Sequence, residues 1–524
     1  MSLIFAVTTL LWFIVALFDY GEFGYIWQLK EYRLDRFKDF LSTVQGKEFL
    51  KSYLISGRLG LFIVLIFLFF FKVSIFLPAV LLLTILELSR IIYKILKKQI
   101  RYPKRTAKAL LIVFIAVLIE FAAWFLVKDV KIMFLLYCSR FFILTFIVGL
   151  FYLPTKLIKS AYIIIASKKM FLNPQVKVIG ITGSFGKTTV KNYLKQILGA
   201  KYNVVATPKN INTEIGIAKF ISKTDFSKVD IFIVEMGAYR MGEIKQICDM
   251  VRPKIGILTA INEQHLSLFG DIKKTQKAKF ELLDSLPADG LAITNSDNQY
   301  CRELLPKLKC EYKTFGQNPL FAPNAHIADV KTDQEKINFN IEFDKENLHL
   351  EAKVLGQHNV MNIAPVVIIA KTLGFNNQEI IEQVAKLEAP EGTLRALKYG
   401  ESVVIDDSYN SNPDGFLAAI NILKNYSSDY RKLVITRGML ELGEKSSELH
   451  QKIGAEIAKN ADELIVISRD SEADLKKGAG EKIKIISCFS PDELLKLIQQ
   501  SKTTRSIILL ENRMPGSVLN ELKS

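Results

Sequence analysis

Long apolar segments fill the first 170 residues and restrict what that part of the chain can become. The segments at 109–127 and 132–153 are long enough to cross a bilayer, and each contains a single charged residue, Glu120 in the first and Arg140 in the second. A backbone within a bilayer must satisfy its own hydrogen bonds, so both segments are predicted to be helices. Charges inside a membrane are costly, so Glu120 and Arg140 either have a function or pair with each other.

Three further segments complete a prediction of five membrane spans. The segment at 3–18 has neither a basic leader nor a small-residue cleavage site, which indicates a retained membrane helix. The segments at 59–71 and 73–88 are separated by Lys72 and form either two short helices or a re-entrant pair. The basic run from Arg90 to Lys108 is predicted to be cytoplasmic, because positively charged loops stay on that side. The chain is therefore expected to be a multi-pass protein of the cytoplasmic (inner) membrane, with everything after the last span in the cytoplasm.

Positive charge is concentrated in the same region. Residues 1–170 contain 23 Lys and Arg against 9 Asp and Glu, whereas the rest of the chain contains 46 against 44. The basic residues flank apolar segments instead of covering a soluble face, so we expect no nucleic-acid partner. The five cysteines are scattered without metal-ligand spacing, which favours a reducing compartment without disulfides. The five histidines include no pair at zinc-binding spacing.

The segment VKVIGITGSFGKTTVKNYLKQIL combines a strand, a glycine turn and a Lys-Thr pair that opens a helix. Gly183 and Gly186 allow the backbone to turn tightly and to approach a ligand closely. Lys187 can reach the outer phosphates of a nucleotide, and Thr188 can hold Mg²⁺. The general P-loop pattern has a further glycine where this chain has Ile181, so an ordinary glycine turn remains the alternative.

The chain after this segment has the pattern of α/β domains. Apolar β-branched runs alternate with helical stretches, which predicts parallel sheets with crossover helices. Residues 330–355 alternate apolar and polar side chains around Asp344-Lys345-Glu346-Asn347, which predicts an antiparallel hairpin. We predict three domains, over residues 1–170, 171–388 and 389–524.

Several later motifs occur in a characteristic order. They are NINTEIG, IVEMGAYRMGEI, HLSLFGDIKKTQKAK, TNSDN, GQHNVMN, DDSYNSNP and GMLELG. Together with ITGSFGKTT, they resemble the Mur ligase family, the ATP-dependent amide-bond-forming enzymes of peptidoglycan precursor synthesis, over residues 176–524. The DDSYNSNP, MLELGE and EMGA stretches most resemble the branch that adds D-alanyl-D-alanine to UDP-MurNAc-tripeptide. The resemblance implies an α/β fold with a central P-loop ATPase domain and a Rossmann-like C-terminal domain, after the N-terminal multi-span helical membrane region.

The resemblance also implies roles for individual residues. ATP would be held by the loop residues Gly183, Ser184, Phe185, Gly186, Lys187, Thr188 and Thr189. Asn295 would contact adenine, Asn359 would lie near the nucleotide, and Asp407 would accept hydrogen bonds from the ribose. Mg²⁺ would be bound by Thr188, Glu235, His265 and Lys279, and the residues acting in catalysis would be Lys187, His265, Lys279 and Arg395.

Some of these roles have alternatives. Lys279 matches the family's lysine that CO₂ carbamylates, which turns a cation into an anion able to bind a second Mg²⁺. Without the family, Lys279 reads as a solvated helix charge. Asp406 and Asp407 could instead belong to a capped turn after a strand. The family's Gly-Arg pair has threonine in place of arginine here, so the role of Arg395 stays open.

The implied function is ligation through an acyl phosphate, with ATP and Mg²⁺ as cofactors. The expected partners are UDP-MurNAc-tripeptide or a lipid-linked equivalent, D-alanyl-D-alanine and the lipid bilayer. The membrane segments occupy the place of the family's uridine-binding domain, which keeps two alternatives open. One is a membrane-bound ligase that acts on a lipid-linked precursor or on poly-γ-glutamate, and the other is a non-catalytic membrane scaffold.

Overall fold

The computed structural model describes residues 3–522 apart from a few short stretches. The stretches that are not described are 43, 70–75, 98, 128, 210, 239, 263–270, 410, 440–441 and 443–444. The chain forms two compact units, Met1–Ser160 and Ala161–Ser524. Each unit is described separately below.

The first unit is helical. Its helices are α1 (Leu3–Leu29), α2 (Leu34–Ser42), α3 (Val44–Lys51), α4 (Arg58–Phe69), α5 (Phe76–Leu96), α6 (Ala107–Val127), α7 (Val130–Leu150) and the first part of α8 (Tyr152–Phe171). Within the described residues, three helical stretches are long and apolar enough to cross a membrane, by length and composition only: Val7–Leu29, Ala107–Val127 and Lys131–Phe171.

Among the residues that the structure describes there are three candidate spans, and the five predicted from the sequence stay a prediction. The predicted segment at 59–71 overlaps α4, which has 12 described residues. A helix of that length is roughly 18 Å long, whereas the hydrocarbon core of a bilayer is ~30 Å thick. The predicted segment at 73–88 continues into α5, which carries Glu87, Arg90 and Lys94. Part of both segments lies outside the described residues.

A buried ionic network lies inside the first unit. Arg140 on α7 contacts Glu120 on α6 at 2.6 Å and Asp19 on α1 at 2.9 Å. Arg58 contacts the same Asp19 at 2.7 Å and Glu87 on α5 at 2.9 Å. All five side chains are almost fully buried. Glu120 and Arg140 thus pair with each other, as one of the two interpretations of the sequence required.

The second unit begins with a nine-stranded sheet. Its strands are β1 (Lys177–Thr182), β2 (Val204–Ala206), β3 (Ile231–Glu235), β4 (Ile255–Leu258), β5 (Leu291–Asn295), β6 (Glu311–Gly316), β7 (Ala325–Thr332), β8 (Ile337–Phe343) and β9 (Glu346–Ala352). The spatial order is β2-β3-β1-β4-β5-β6-β7-β8-β9, parallel as far as β7 and antiparallel from β7 to β9. The predicted hairpin is confirmed: Asp344 and Lys345 form the turn with positive φ, and Phe343 pairs with Glu346.

Helices cover both faces of the parallel part of this sheet. They are α9 (Lys187–Leu198), α10 (Glu214–Lys223), α11 (Glu243–Val251), α12 (Ile272–Asp284), α13 (Gln299–Arg302), α14 (Val360–Thr372) and α15 (Asn377–Val384). Alternate residues of β1 enter different cores, because successive side chains of a strand point to opposite faces. Ile179 and Ile181 pack with α9 and α14, whereas Val178 packs with α11 and α12. The carboxyl ends of β1, β3, β4 and β5 consequently meet at one edge.

A six-stranded sheet follows. Its strands are β10 (Arg395–Tyr399), β11 (Ser402–Asp407), β12 (Arg431–Thr436), β13 (Glu463–Val466), β14 (Lys484–Ser487) and β15 (Ser506–Glu511). Its helices are α16 (Pro413–Ile422), α17 (Ser446–Asn460), α18 (Arg469–Ala479), α19 (Pro491–Gln500) and α20 (Gly516–Glu521). The order is β10-β11-β15-β12-β13-β14, with β10 antiparallel and the others parallel. β15 lies between β11 and β12. The carboxyl ends of these three parallel strands lie at the edge of the sheet where α/β proteins bind ligands.

Candidate active site

The phosphate loop joins β1 to α9. Gly183 has φ of 152° and Gly186 has φ of 79°, conformations that side-chain-bearing residues rarely adopt. A Cβ atom on Gly183 would lie 1.9 Å from the hydroxyl oxygen of Thr259, so the loop has no room for a side chain there. α9 starts at Lys187, so the loop ends at a helix N-terminus, where free N–H groups favour an anion.

Two lysine side chains converge on the carbonyl of Gly183. Lys187 Nζ donates to this oxygen at 2.7 Å and to the carbonyl of Ser184 at 3.2 Å, and Lys279 Nζ donates to Gly183 O at 3.0 Å. Lys279 is 2% exposed, so it is not a solvated helix charge. Burial lowers the pKa of Lys279 well below its usual value, and the charge of Lys187 lowers it further. Burial also lowers the pKa of Lys187.

The carboxylate of Glu235, at the end of β3, contacts the phosphate loop. Its Oε2 accepts a hydrogen bond from Thr188 Oγ1 at 3.0 Å and lies 2.9 Å from Lys191 Nζ, and its Oε1 accepts from Asn212 Nδ2 at 3.2 Å. Burial by itself would raise the pKa of Glu235, but the charges of Lys191 and Lys187 outweigh it and hold that pKa below the usual value. Glu235 is therefore ionised at neutral pH.

The donor set fits a magnesium ion accompanied by phosphates. The Thr188 hydroxyl and the Glu235 carboxylate meet at the loop, and oxygen atoms are the ligands that Mg²⁺ prefers. Mg²⁺ usually takes only one or two carboxylates and fills its shell with water and substrate phosphates. Among the described residues, no group of three or more His, Cys, Asp or Glu could hold a metal. His265, the further ligand expected from the sequence, lies outside the described residues.

Two asparagines expected near the nucleotide also form hydrogen bonds within the protein. The Asn295 side chain accepts two backbone N–H groups of the turn that follows β5, at 2.9 and 3.3 Å. The Asn359 amide donates to the carbonyl of Leu355 at 2.7 Å and accepts from Asn362 at 2.9 Å. Both side chains are buried and their amides are engaged in these bonds, so contact with adenine or phosphate by Asn295 or Asn359 stays a prediction.

A cavity of about 150 Å³ separates the phosphate loop from the six-stranded sheet. It is lined on the loop side by Ser184, Phe185, Gly186, Lys187, Thr188, Thr189, His358, Asn359 and Asn362, and on the other side by Thr393, Leu394, Asp407, Tyr409, Asn412 and Gly415. Seven of the residues predicted to act on the nucleotide, from Ser184 to Thr189 together with Asp407, thus share one space with Asn359. Arg395 is exposed at the start of β10, and it is Thr393 and Leu394 that line the cavity.

A second cleft of about 330 Å³ opens between the same two parts of this unit. Asn262 and Tyr300 line one wall, and apolar side chains including Leu417 and Leu449 line the other. Asn262 also donates a hydrogen bond to Asp414 across the cleft at 3.2 Å. The lining combines apolar side chains with several polar ones, a combination found in small-molecule binding sites.

The sequence interpretation missed one acidic residue of this region, Glu511. It ends β15 and is the register partner of Asp407 at the end of β11. Burial raises the pKa of Asp407 to about 7, and burial together with the charge of Asp407 raises the pKa of Glu511 well above its usual value. An acid that ends an apolar strand is the same signal that identified Glu235, and it could have identified Glu511.

The phosphate loop, the oxygen ligands beside it and a second α/β layer across the cavity define a two-domain nucleotide-binding protein. The chain belongs to the Mur ligase family: residues 181–370 match the Mur ligase middle domain, and residues 395–510 match the Mur ligase, glutamate ligase domain.

Its relatives are named consistently. The chain is 30% identical over 301 residues to the UDP-N-acetylmuramoyl-tripeptide--D-alanyl-D-alanine ligase of Synechocystis, a match that covers 57% of this chain and 63% of that protein. It is 26% identical over 339 residues to the ligase of the same name from Bacillus subtilis, covering 64% of this chain and 72% of that one. The chain thus spans less than two thirds of the length of the Synechocystis relative.

Solved structures share the fold. The MurF structure from Acinetobacter baumannii superposes with a TM-score of 0.62 at 23% identity, covering 70% of this chain and 79% of that one. The MurF ligase from Thermotoga maritima in complex with ADP gives 0.62 at 24% identity, covering 70% and 82%.

Proposed function

We propose that this chain is an ATP-dependent, ADP-forming ligase that joins D-alanyl-D-alanine to UDP-MurNAc-tripeptide. The observation that carries the proposal is the meeting of Lys187, Lys279, Thr188 and Glu235 at one phosphate loop that faces a second α/β layer. The names of the relatives supply the substrates. These four residues also argue against the scaffold alternative, because a chain without catalysis has no need of a buried lysine and a buried carboxylate beside Lys187 at the loop.

ATP would lie with its outer phosphates on the loop. Lys187 is already held at the loop by two backbone carbonyls, so its ammonium needs only a short movement to meet a phosphate. Thr188 and Glu235 would hold Mg²⁺, which when bound supplies positive charge to the transferring phosphoryl group. The second cleft, with Asn262, Tyr300 and apolar walls, is the place we assign to the base.

The reaction would proceed in two steps. The substrate carboxylate attacks the γ-phosphate to give an acyl phosphate and ADP, and the amine then displaces phosphate to form the amide. The chain contributes charge at Lys187, the N–H groups at the start of α9, and exclusion of water by its two domains. Water must be excluded because an acyl phosphate hydrolyses readily.

We also propose that Lys279 is carbamylated. Its burial and the adjacent Lys187 favour the neutral amine, which is the form that reacts with CO₂. The product would be an anion at the same position and could join Thr188 and Glu235 as an oxygen ligand.

The apolar helices support a location in the cytoplasmic membrane, with the chain after the last span in the cytoplasm. They also favour a second candidate function, in which the same chemistry acts on a lipid-linked precursor. A cysteine placed beside Lys97 should not react with an impermeant reagent added outside intact cells, whereas after permeabilisation it should. Labelling without permeabilisation would reverse the proposed orientation.

The test of function is phosphate release by the full chain in detergent with ATP, Mg²⁺, D-alanyl-D-alanine and UDP-MurNAc-tripeptide, with the mass of the product measured. Lys187→Ala should abolish release, whereas Lys195→Ala, an exposed lysine on the same helix, should not. Release only with a lipid-linked tripeptide or with glutamate would keep the chemistry and change the substrate. No ATP turnover with any acceptor would refute the ligase proposal.

A further inference from the structure

The second part of α8, from residue 161 onward, belongs to the second unit and has one face buried in it. Ala166 is 0% exposed and Met170 is 6% exposed, and both belong to the core that also contains Val178 of β1. Tyr162, one turn before Ala166, packs against the same core. Residues four apart are neighbours on a helix, so these three side chains of α8 form one stripe. This stripe fixes α8 to the α/β domain.

The opposite side of this part of α8 is apolar and exposed. Ile164 and Ile165 are 66% and 53% exposed, and Phe171 and Leu172 are 62% and 65% exposed. Two turns of a helix take about seven residues, so Phe171 lies in line with Ile164. For the same reason Leu172 lies in line with Ile165. Lys168 is exposed and lies between the two pairs. We call these five residues the α8 face.

The α8 face is basic as well as apolar. Residues 152–172 contain four lysines and no acid. Lys168 lies at the centre of the face, and the guanidinium carbon of Arg252 lies 5.0 Å from the centre of the Phe171 ring. Long basic side chains can keep their stems on an apolar surface while their charged ends reach out of it. The α8 face is therefore suited to a partner that is apolar below a layer of negative charge.

A lipid bilayer has this chemistry, and the chain reaches one just before α8. α7 has 21 residues and is roughly 31 Å long, enough to cross the ~30 Å hydrocarbon core of a bilayer. α8 begins two residues after α7 ends, so it lies beyond the length that a single crossing needs. Helices that lie in the plane of a membrane surface have an apolar face and lysines among their polar residues. α8 has both features.

A second copy of the chain fits the α8 face less well. Pairing two such faces would bring the Lys168 ammonium groups of two chains close together, and residues 152–172 supply no acid to neutralise them. Like charges held close together on packed helices are destabilising. The phosphates of anionic lipids attract lysine instead. The charge of the face thus favours lipid over a second copy.

We propose that the α8 face lies on the cytoplasmic surface of the membrane, with its apolar side chains at the boundary of the acyl chains and with Lys168 at the lipid phosphates. The inference rests on the proposed membrane location and not on the identity of the ligase substrates. The buried stripe on the other side of α8 would then hold the α/β domain at the bilayer. The lipid surface is thus a binding partner of the second unit.

Nitroxide labels on single cysteines test this proposal in the full chain, placed in nanodiscs of phosphatidylcholine and phosphatidylglycerol. Four of the native cysteines are buried and Cys310 is half-buried, so a Cys310→Ser background leaves the introduced thiol as the reactive one. Ile164→Cys and Phe171→Cys report on the α8 face. Leu320→Cys, at a position of the second unit that is 87% exposed, is the matched control for water. Phe146→Cys, at an exposed position of α7, is the control for lipid.

Collisions of each label with two reagents are measured by electron paramagnetic resonance. Oxygen concentrates among acyl chains, whereas a nickel chelate stays in water. The ratio of oxygen to nickel collisions at Ile164→Cys and Phe171→Cys should exceed the ratio at Leu320→Cys and approach that at Phe146→Cys. A ratio at Ile164→Cys equal to that at Leu320→Cys would overturn the proposal.

The charge of the α8 face is tested in the same nanodiscs. Lys168→Glu should lower the ratio at Phe171→Cys, because a carboxylate is repelled by lipid phosphates. Lys482→Glu, at an exposed lysine of the six-stranded sheet domain, should leave that ratio unchanged. Equal ratios in the two variants would contradict the placement of Lys168 at the phosphates.

Two further outcomes separate this inference from the proposals it depends on. Few collisions with either reagent at Ile164→Cys, or spin–spin broadening that is lost when labelled chains are diluted with unlabelled ones, would show that protein covers the face, and would overturn the inference. A low ratio at Phe146→Cys would overturn the proposed membrane location instead. Ligase activity is not measured, so the result does not depend on the proposed reaction.

Discussion

Gly183→Ala should destabilise the second unit through a single contact. The added Cβ would lie 1.9 Å from Thr259 Oγ1, which donates hydrogen bonds to the carbonyls of Phe185 and Thr182. Thr259 would have to move and lose these bonds, at about 1 kcal/mol for each typical hydrogen bond. Overpacking adds about 1–3 kcal/mol, and a positive φ costs an alanine about 1–2 kcal/mol. Together these costs should lower the free energy of unfolding by roughly 4–7 kcal/mol.

Gly242→Ala is the matched control for this change. Gly242 also has positive φ, at 90°, but a Cβ there would meet nothing within 4 Å. The free energy of unfolding of Gly242→Ala should fall only by the cost of placing alanine at a positive φ. That cost is about 1 kcal/mol once the stabilisation from a less flexible unfolded chain is subtracted. The difference between the two variants therefore isolates the clash with Thr259.

The assay follows thermal unfolding in detergent by the reactivity of a buried thiol. Cys301 is 0% exposed in the second unit, so it reacts only when that unit opens. Gly183→Ala should react at a clearly lower temperature than Gly242→Ala, and it should also bind ATP more weakly because the loop is displaced. Equal unfolding temperatures for the two variants would refute the argument from the Thr259 contact.

Three further predictions concern charged side chains. Lys279→Ala should lose ligase activity and recover part of it with added short-chain carboxylates, whereas exclusion of CO₂ should inhibit the unaltered chain but not the rescued variant. The pKa of Glu235 is lowered in the folded state, so the stability that Glu235 contributes is present above its usual pKa and is lost as the pH falls through its pKa in the folded chain. The free energy of unfolding measured at decreasing pH should show this loss in the unaltered chain and not in Glu235→Gln. Glu120→Gln should destabilise the first unit by about 3 kcal/mol because Arg140 is left without its closest partner, whereas Glu48→Gln, at an exposed position, should be neutral. Both are measured by the temperature at which Cys138, a buried thiol of the first unit, becomes reactive.

Features encoded in contiguous residues were predictable from the sequence. The strand, glycine turn and helix around Lys187 follow from local chemistry, and the structure has β1, the loop and α9 in those places. The parallel sheets and the hairpin at Asp344 are also confirmed, because period-two patterns and turn residues are local signals. The family was identified in the same way, from motifs that each occupy only a few residues.

Features that depend on contacts between distant parts of the chain were harder to predict from the sequence. Lys191 looks like a surface lysine on a helix, and only the position of β3 beside α9 makes it the ion-pair partner of Glu235. Glu511 gains its significance from β15 being inserted beside β11, which no local pattern specifies. The number of membrane spans stays a prediction, because the segments at 59–71 and 73–88 lie partly outside the described residues. The domain boundaries and the roles of His265 and Arg395 remain predictions.

The position of β15 has a consequence for the timing of synthesis. Asp407 emerges from the ribosome about a hundred residues before Glu511. β15 must therefore insert between β11 and β12, which have already been synthesised. Until then, β11 and β12 lack the neighbour that joins them. The wall of the cavity to which Asp407 belongs is therefore completed only after β15 has been made, near the end of synthesis.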